Sequence, residues 1–170
     1  MTKGAYVKLN EMEQRLVKTV AKGRRDFNTL RGTKRVKYPD VSDEYLPDIE
    51  GFAGEVAFCK IFNIFPDMDI RPVTHETDDG DCLWNGLRID VKTTHRPEGK
   101  LLCSNNKKLG MVDYYALMTG VFPMYFYRGV ISAEEMLVSE RMTTLMPVPA
   151  YVADQEELYE LTNPQLEKQR

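Results

Sequence analysis

The chain has 170 residues, is 42% hydrophobic and 29% charged, and carries a net charge of −3, which is the balance of one globular domain with a buried core. No run of about 18 apolar residues occurs, and the first residues lack the apolar stretch of a secretory signal, so neither a membrane span nor export is expected. The charge is unevenly spread: residues 1–38 hold eleven Lys and Arg against three acids, and residues 39–80 hold eleven acids against two bases.

Leu9, Met12, Leu16, Val17, Val20 and Ala21 repeat at helical spacing and predict a first helix that frays or bends at Gly23. Tyr38 to Pro47 is polar and punctuated by proline, which predicts a loop. A second helix is expected from Asp48, a candidate N-cap, to about Phe62. Glu55 is the odd residue in it, because its helical neighbours Gly51, Phe52, Phe58 and Cys59 are all apolar or small. A carboxylate in such a stripe is costly unless paired. Residues 63–78 read as an irregular connection with a short strand near Met68–Val73.

The stretch Asp79 to Thr94 holds the clearest local signal. Asn85-Gly86 lies between two short apolar runs, and a type I′ turn needs positive φ at both central residues. With those two at the turn, Trp84 faces Leu87, Cys82 faces Ile89, Asp81 faces Asp90, and Asp79 faces Lys92. Side chains alternate, so Cys82, Trp84, Leu87, Ile89 and Val91 share a core face. Asp79, Asp81, Asp90 and Lys92 share the other, read either as a solvated polar face or as a cation site. Two opposed carboxylates stand with Cβ atoms roughly 5 Å apart, which is unfavourable unless one is protonated or a cation lies between them.

Farther on, Leu101-Leu102-Cys103 is expected as a third strand of the hairpin system or part of a basic loop, and Val112–Thr119 and Met124–Ile131 as strands. Ser132 to Glu135 is a capping box opening a short helix. The acidic tail covers about 150 to 170 and is helix-prone from Asp154 as far as Asn163-Pro164. The cysteines Cys59, Cys82 and Cys103 are odd in number and lack CxxC spacing, which predicts free thiols in an intracellular, cytoplasmic protein. A zinc site from Cys82, Cys103, His75 and His95 fits no ligand spacing.

Asp81, followed by Asp90-Val91-Lys92 on the next strand, resembles the signature of the PD-(D/E)xK nuclease superfamily of phages and bacteria. Gly80 stands where that signature often has proline, and Asp79 competes with Asp81 for the first acid. Glu55 matches the glutamate that the family places on the helix before the hairpin, and the run Gly129 to Glu135 is similar to one that often follows it. The likeness spans about Gly51 to Leu137. It implies an α/β fold with a restriction-endonuclease-like core, a central mixed sheet of four or five strands flanked by helices, in a single domain over residues 1–170. Residues 1–47 would be a basic helical extension. It further implies Glu55, Asp81, Asp90 and Lys92 as catalytic residues. Glu55, Asp81, Asp90 and the Val91 carbonyl would hold Mg²⁺, or Mn²⁺ in its place, with no small-molecule cofactor. Lys92 would orient or deprotonate the attacking water. The implied activity is hydrolysis of DNA phosphodiester bonds to 5′-phosphate ends, as endonuclease, exonuclease or junction resolvase. RNA as substrate, or an inactive nucleic-acid-binding module, is the alternative. Small members often dimerise to cut two strands, which implies a homodimer.

An acidic site repels a polyanion, so attraction must come from elsewhere. Arg24, Arg25, Lys34 and Arg35 after the first helix, and Arg96, Lys100, Lys107 and Lys108 after the hairpin, are the expected phosphate contacts. His95 is expected beside them as a phosphate or water contact.

Overall fold

The computed structural model describes residues 3–30, 43–70, 80–144 and 148–161. Strand β1 (Tyr6–Lys8) leads into helix α1 (Glu11–Leu30), and helix α2 (Leu46–Phe62) follows. Strands β2 (Cys82–Trp84), β3 (Leu87–Thr94), β4 (Leu101–Ser104), β5 (Tyr114–Val121) and β6 (Met124–Ser132) precede a short helix α3 (Ala133–Met136). Strands β7 (Met142–Thr143) and β8 (Ala150–Ala153) close the described chain. The fold is mixed α/β.

A five-stranded sheet has the order β1-β6-β5-β3-β2. Its pairs are antiparallel except β3 with β5, which run parallel from Ile89↔Tyr114 to Thr94↔Thr119. A second sheet, β4-β8-β7, is antiparallel. The two faces of the large sheet are covered differently. Ile89, Val91, Ala116 and Met118 pack with Val17, Val20, Phe52, Val56 and Phe58 of the helices. Tyr115 and Leu117, one step along β5, pack with Leu101, Cys103 and Ala153 of the second sheet. An inner strand that pairs in parallel is commonly buried on both faces.

Asn10 and Glu13 cap α1 reciprocally: the Glu13 amide donates to Asn10 Oδ1 at 2.9 Å and the Asn10 amide to Glu13 Oε2 at 2.6 Å. The helix does not fray at Gly23 but runs to Leu30. Gly23 lies against Ile70, whose Cδ1 would stand 2.5 Å from a Cβ there. Helix α2 starts two residues before the expected N-cap Asp48, with Pro47 in its first turn. It ends at Asn63, left-handed at φ 54°. Met68–Ile70 forms no strand, and residues 71–73 lie outside the described residues. Leu101–Ser104 is a strand, but it pairs with β8 rather than extending the hairpin. The capping box on α3 forms as expected, with Ser132 Oγ accepting from the Glu135 amide at 3.2 Å. Strand β8 ends just before Asp154, and the helix expected from there is, among the described residues, a 3-10 turn at Gln155–Glu157 and a bridge from Tyr159 to Val130.

Candidate functional site

The hairpin forms in the register read from the sequence: Trp84↔Leu87, Leu83↔Arg88 and Cys82↔Ile89. Asn85 and Gly86 have φ of 49° and 82°, as the tight turn requires. The ladder stops at Cys82. The Asp81 amide donates to the Ile89 carbonyl at 2.8 Å, and Asp81 Oδ2 accepts from the Val91 amide at 2.6 Å. Asp81 thereby satisfies a backbone donor that β2 no longer reaches. The amide and carbonyl of one strand residue leave on the same edge, so the Val91 carbonyl is directed to the edge that β2 vacates. Gly80 has φ +82°, and a Cβ there would meet the Ile89 carbonyl oxygen at 2.8 Å. Proline, with φ held near −65°, cannot adopt that conformation.

The face of β3 that carries Asp90 and Lys92 is not solvated. It turns toward the second sheet, and Asp90 is 2% exposed. Lys92 Nζ pairs with Asp90 Oδ1. Lys107 Nζ pairs with Asp90 Oδ2 at 2.9 Å, its side chain 12% exposed. Burial opposes ionisation of Asp90, but the two lysines outweigh it and hold its carboxyl below the ordinary range. Burial also works against the charge of Lys92. Asp90 and Asp81 outweigh that in turn and raise the ammonium above its ordinary value.

Glu55 reaches the same place from α2. Gly54 makes this approach available, because a Cβ at that position would lie 1.9 Å from Thr93 Oγ1. The T-shaped contact of Phe62 with Trp84, centroids 5.6 Å apart, seats the hairpin against the same helix. Glu55 Oε2 lies 3.4 Å from Arg24 Nη1. Burial and then the charge of Asp81 push the Glu55 carboxyl well above its ordinary range, and Asp90 adds to this. Burial and then Asp90 push Asp81 up to about 7. Three carboxylates, from α2, from the residue before β2 and from β3, thus sense one another, Asp90 buried and the other two half-buried. Among the described residues, however, no three His, Cys, Asp or Glu side chains already stand as a ligand cage.

The site is less acidic than expected: besides Lys92, Arg24 stands against Glu55 and Lys107 against Asp90. Arg24 and Arg25, expected like Lys107 as phosphate contacts, turn inward instead. Arg24 donates to the carbonyls of Asp69 and Asp67 at 3.0 and 2.8 Å and covers the Phe52 ring at 4.5 Å. Arg25 pairs with Asp48 at 3.2 Å and Glu44 at 3.3 Å. Each guanidinium is drawn to α2 and its flanks, where acids are dense. Lys100 is exposed but pairs with Asp154 at 2.6 Å. His95, Arg96 and Lys108 are exposed. Lys34, Arg35, His75 and Asp79 lie outside the described residues.

Two contacts were missed in the sequence, Arg24 to Glu55 and Lys107 to Asp90. The only signal for either was excess basic charge in its segment. The three thiols are free, with Cys59 and Cys103 buried. A hydrogen bond with Cys59 and burial push the Cys82 thiol up, away from the thiolate that zinc would need. No family model, curated protein or solved structure matches this chain.

Proposed function

We propose that this chain is a metal-dependent nuclease of the restriction-endonuclease-like type, hydrolysing phosphodiester bonds of DNA to leave 5′-phosphate ends. One observation carries the reading: Asp90, buried on β3, pairs with Lys92 of the same strand, Asp81 accepts from the Val91 amide between them, and Glu55 on α2 comes near enough for the charges of Asp81 and Asp90 to act on it. Although Glu55 has Arg24 and Asp81 has the Val91 amide, neither partner offsets burial and the neighbouring carboxylates, and both groups are pushed toward protonation, a condition that a divalent cation relieves.

The donor set fits Mg²⁺ or Mn²⁺ in kind, being hard oxygens from Glu55, Asp81, Asp90 and the Val91 carbonyl. Such an ion, when bound, supplies Lewis-acid polarisation of the phosphodiester and a more acidic water. The chain's own residues do the rest. Lys92 is held protonated by Asp90 and Asp81, so it donates to the attacking water and offsets charge developing on the phosphate rather than taking a proton. Asp90 holds that ammonium in place. Asp81 couples the site to the backbone of β3 through the Val91 amide. Arg96, Lys108 and His95, exposed after β3, supply attraction for the polyanion. A homodimer able to cut both strands, acting within the cytoplasm of a phage host or bacterium, completes the proposal.

The test is incubation with Mg²⁺ or Mn²⁺ against linear, circular, branched and single-stranded DNA and against RNA, with chelator controls. Metal-dependent cleavage of DNA is the expected result. Cleavage of RNA alone changes the substrate. Nucleic-acid binding without cleavage of any substrate makes the chain a binding module on this fold.

A further inference from the structure

Arg24 meets Glu55 without depending on it for its own place. Its Nε donates to the Asp69 carbonyl at 3.0 Å and its Nη2 to the Asp67 carbonyl at 2.8 Å. The guanidinium also lies over the Phe52 ring, 4.5 Å from the centroid. Phe52 and Glu55 are three residues apart on α2 and share one face of that helix. A guanidinium is planar and its donors form a rigid fork, so two carbonyls and a ring fix where the remaining nitrogen points. That nitrogen, Nη1, lies 3.4 Å from Glu55 Oε2. Glu55 has the opposite character. Its side chain is long and rotatable, and the charges of Asp81 and Asp90 repel its ionised form. Left to those neighbours, the carboxylate turns away from the site or gives up its charge.

We propose that Arg24 is a positioning residue that holds Glu55 at the cation site, an inference that rests on the nuclease reading. A guanidinium anchored on backbone carbonyls keeps the Glu55 carboxylate beside Asp81 and Asp90 before any cation arrives. The ordering of that third carboxylate is then supplied by the fold and not by the incoming ion. The same guanidinium is a positive charge near the ion and repels it, so two effects oppose. The repulsion is the smaller one, because the charge is spread over a plane whose other nitrogens face two carbonyl oxygens. Hydrogen-bonded partners of ligating carboxylates commonly raise metal affinity by about 10–100-fold. Arg24 acts through Glu55 alone in this scheme and takes no part in bond making or breaking.

The experiment is a double-mutant cycle read by Mn²⁺ affinity, taken from the electron paramagnetic resonance of the free ion without nucleic acid. Wild type, Arg24→Gln, Glu55→Ala and the double variant are compared, and thermal melts confirm that each folds. Arg24→Gln should weaken Mn²⁺ by about 10–100-fold. The same change made in Glu55→Ala should have almost no effect, because the carboxylate that Arg24 positions is gone. A purely structural loss, from freeing the Asp67 and Asp69 carbonyls, would instead weaken Mn²⁺ by the same factor in both backgrounds. That outcome overturns the inference while the nuclease reading stands. So does Mn²⁺ affinity that is unchanged or higher in Arg24→Gln, and so does Mn²⁺ affinity that Glu55→Ala leaves unaltered. If the wild type binds no Mn²⁺ at all, the inference and the nuclease reading fail together. If Arg24→Gln does not fold, Arg24→Lys, which keeps the charge without the fork, replaces it in the cycle under the same criteria. Glu55→Gln replaces Glu55→Ala in the same way.

Discussion

Helix α2 carries two glutamates five residues apart in opposite circumstances. Glu50 is fully employed: the Phe122 amide donates to both of its oxygens at 3.0 and 3.2 Å, and the Tyr125 hydroxyl donates to Oε2 at 2.5 Å. It ties the helix to the β5–β6 turn, and its donors are neutral. Glu55 faces a guanidinium at 3.4 Å and the charges of Asp81 and Asp90. Glu50 sits where the fold is served, whereas Glu55 sits where the fold alone would favour an uncharged residue. That difference, rather than burial or proximity to the sheet, separates a supporting carboxylate from a candidate ligand.

The sharpest way to break this contrast is to remove members of the Glu55 cluster and look for chemistry. Asp90→Asn and Lys92→Ala should each lower cleavage by about 10²–10³-fold or more while the proteins still melt cooperatively. Glu50→Ala should leave cleavage nearly unchanged below its melting temperature. Full activity in Asp90→Asn would mean that the reaction occurs elsewhere.

Stability should respond in the reverse sense. Glu50→Ala strands the Phe122 amide and the Tyr125 hydroxyl and should cost about 1–3 kcal/mol, a drop in Tm of roughly 2–4 °C for each kcal/mol. Glu55→Gln in the presence of chelator should cost less than Glu50→Ala, because it relieves repulsion from two carboxylates while Arg24 keeps its bonds to the Asp67 and Asp69 carbonyls and the amide still offers it an oxygen. Equal losses in the two variants would erase the distinction between the glutamates.

A smaller effect should appear against pH. The Asp81 carboxyl titrates at about 7 when folded and near about 3.9 when unfolded. Between those values the native state keeps a proton that the unfolded chain has released. Asp81 therefore makes the metal-free protein less stable as pH rises through that window, and has no such effect below it. Asp81→Asn, which still offers an oxygen to the Val91 amide, should flatten this decline in urea melts from pH 5 to 8. An unchanged slope would place the perturbed group elsewhere.

The smallest expected effect concerns phosphate contacts. Neutralising Arg96 and Lys108 should reduce the salt slope of duplex affinity by about 1.8, at about 0.9 for each contact. Neutralising Arg24 and Arg25 should leave the slope unchanged and lower Tm instead, since both are engaged within the fold. Binding measured in Ca²⁺ over a salt series separates the two pairs.

Several features of this protein were decided within short stretches of sequence. Asn85-Gly86 and the alternation around it set the hairpin register, because positive φ at two adjacent residues and a period of two leave one pairing that buries Trp84, Cys82, Ile89 and Val91 on the core side. Ser132 and Glu135 set a helix start by bonding to one another. Glu55 was legible from its poor fit to an apolar helix stripe. Other features depended on partners far along the chain. Leu101–Ser104 joins a second sheet because its ladder partner is Ala150–Ala153, about fifty residues away. That sheet covers the Asp90 face and brings the turn bearing Lys107 over it. Arg24 and Arg25 turned inward because the acids of α2 and its flanks pack against α1. A charged side chain reads the same in sequence whether it meets solvent or a buried partner, and only the packing of distant elements decides which it meets.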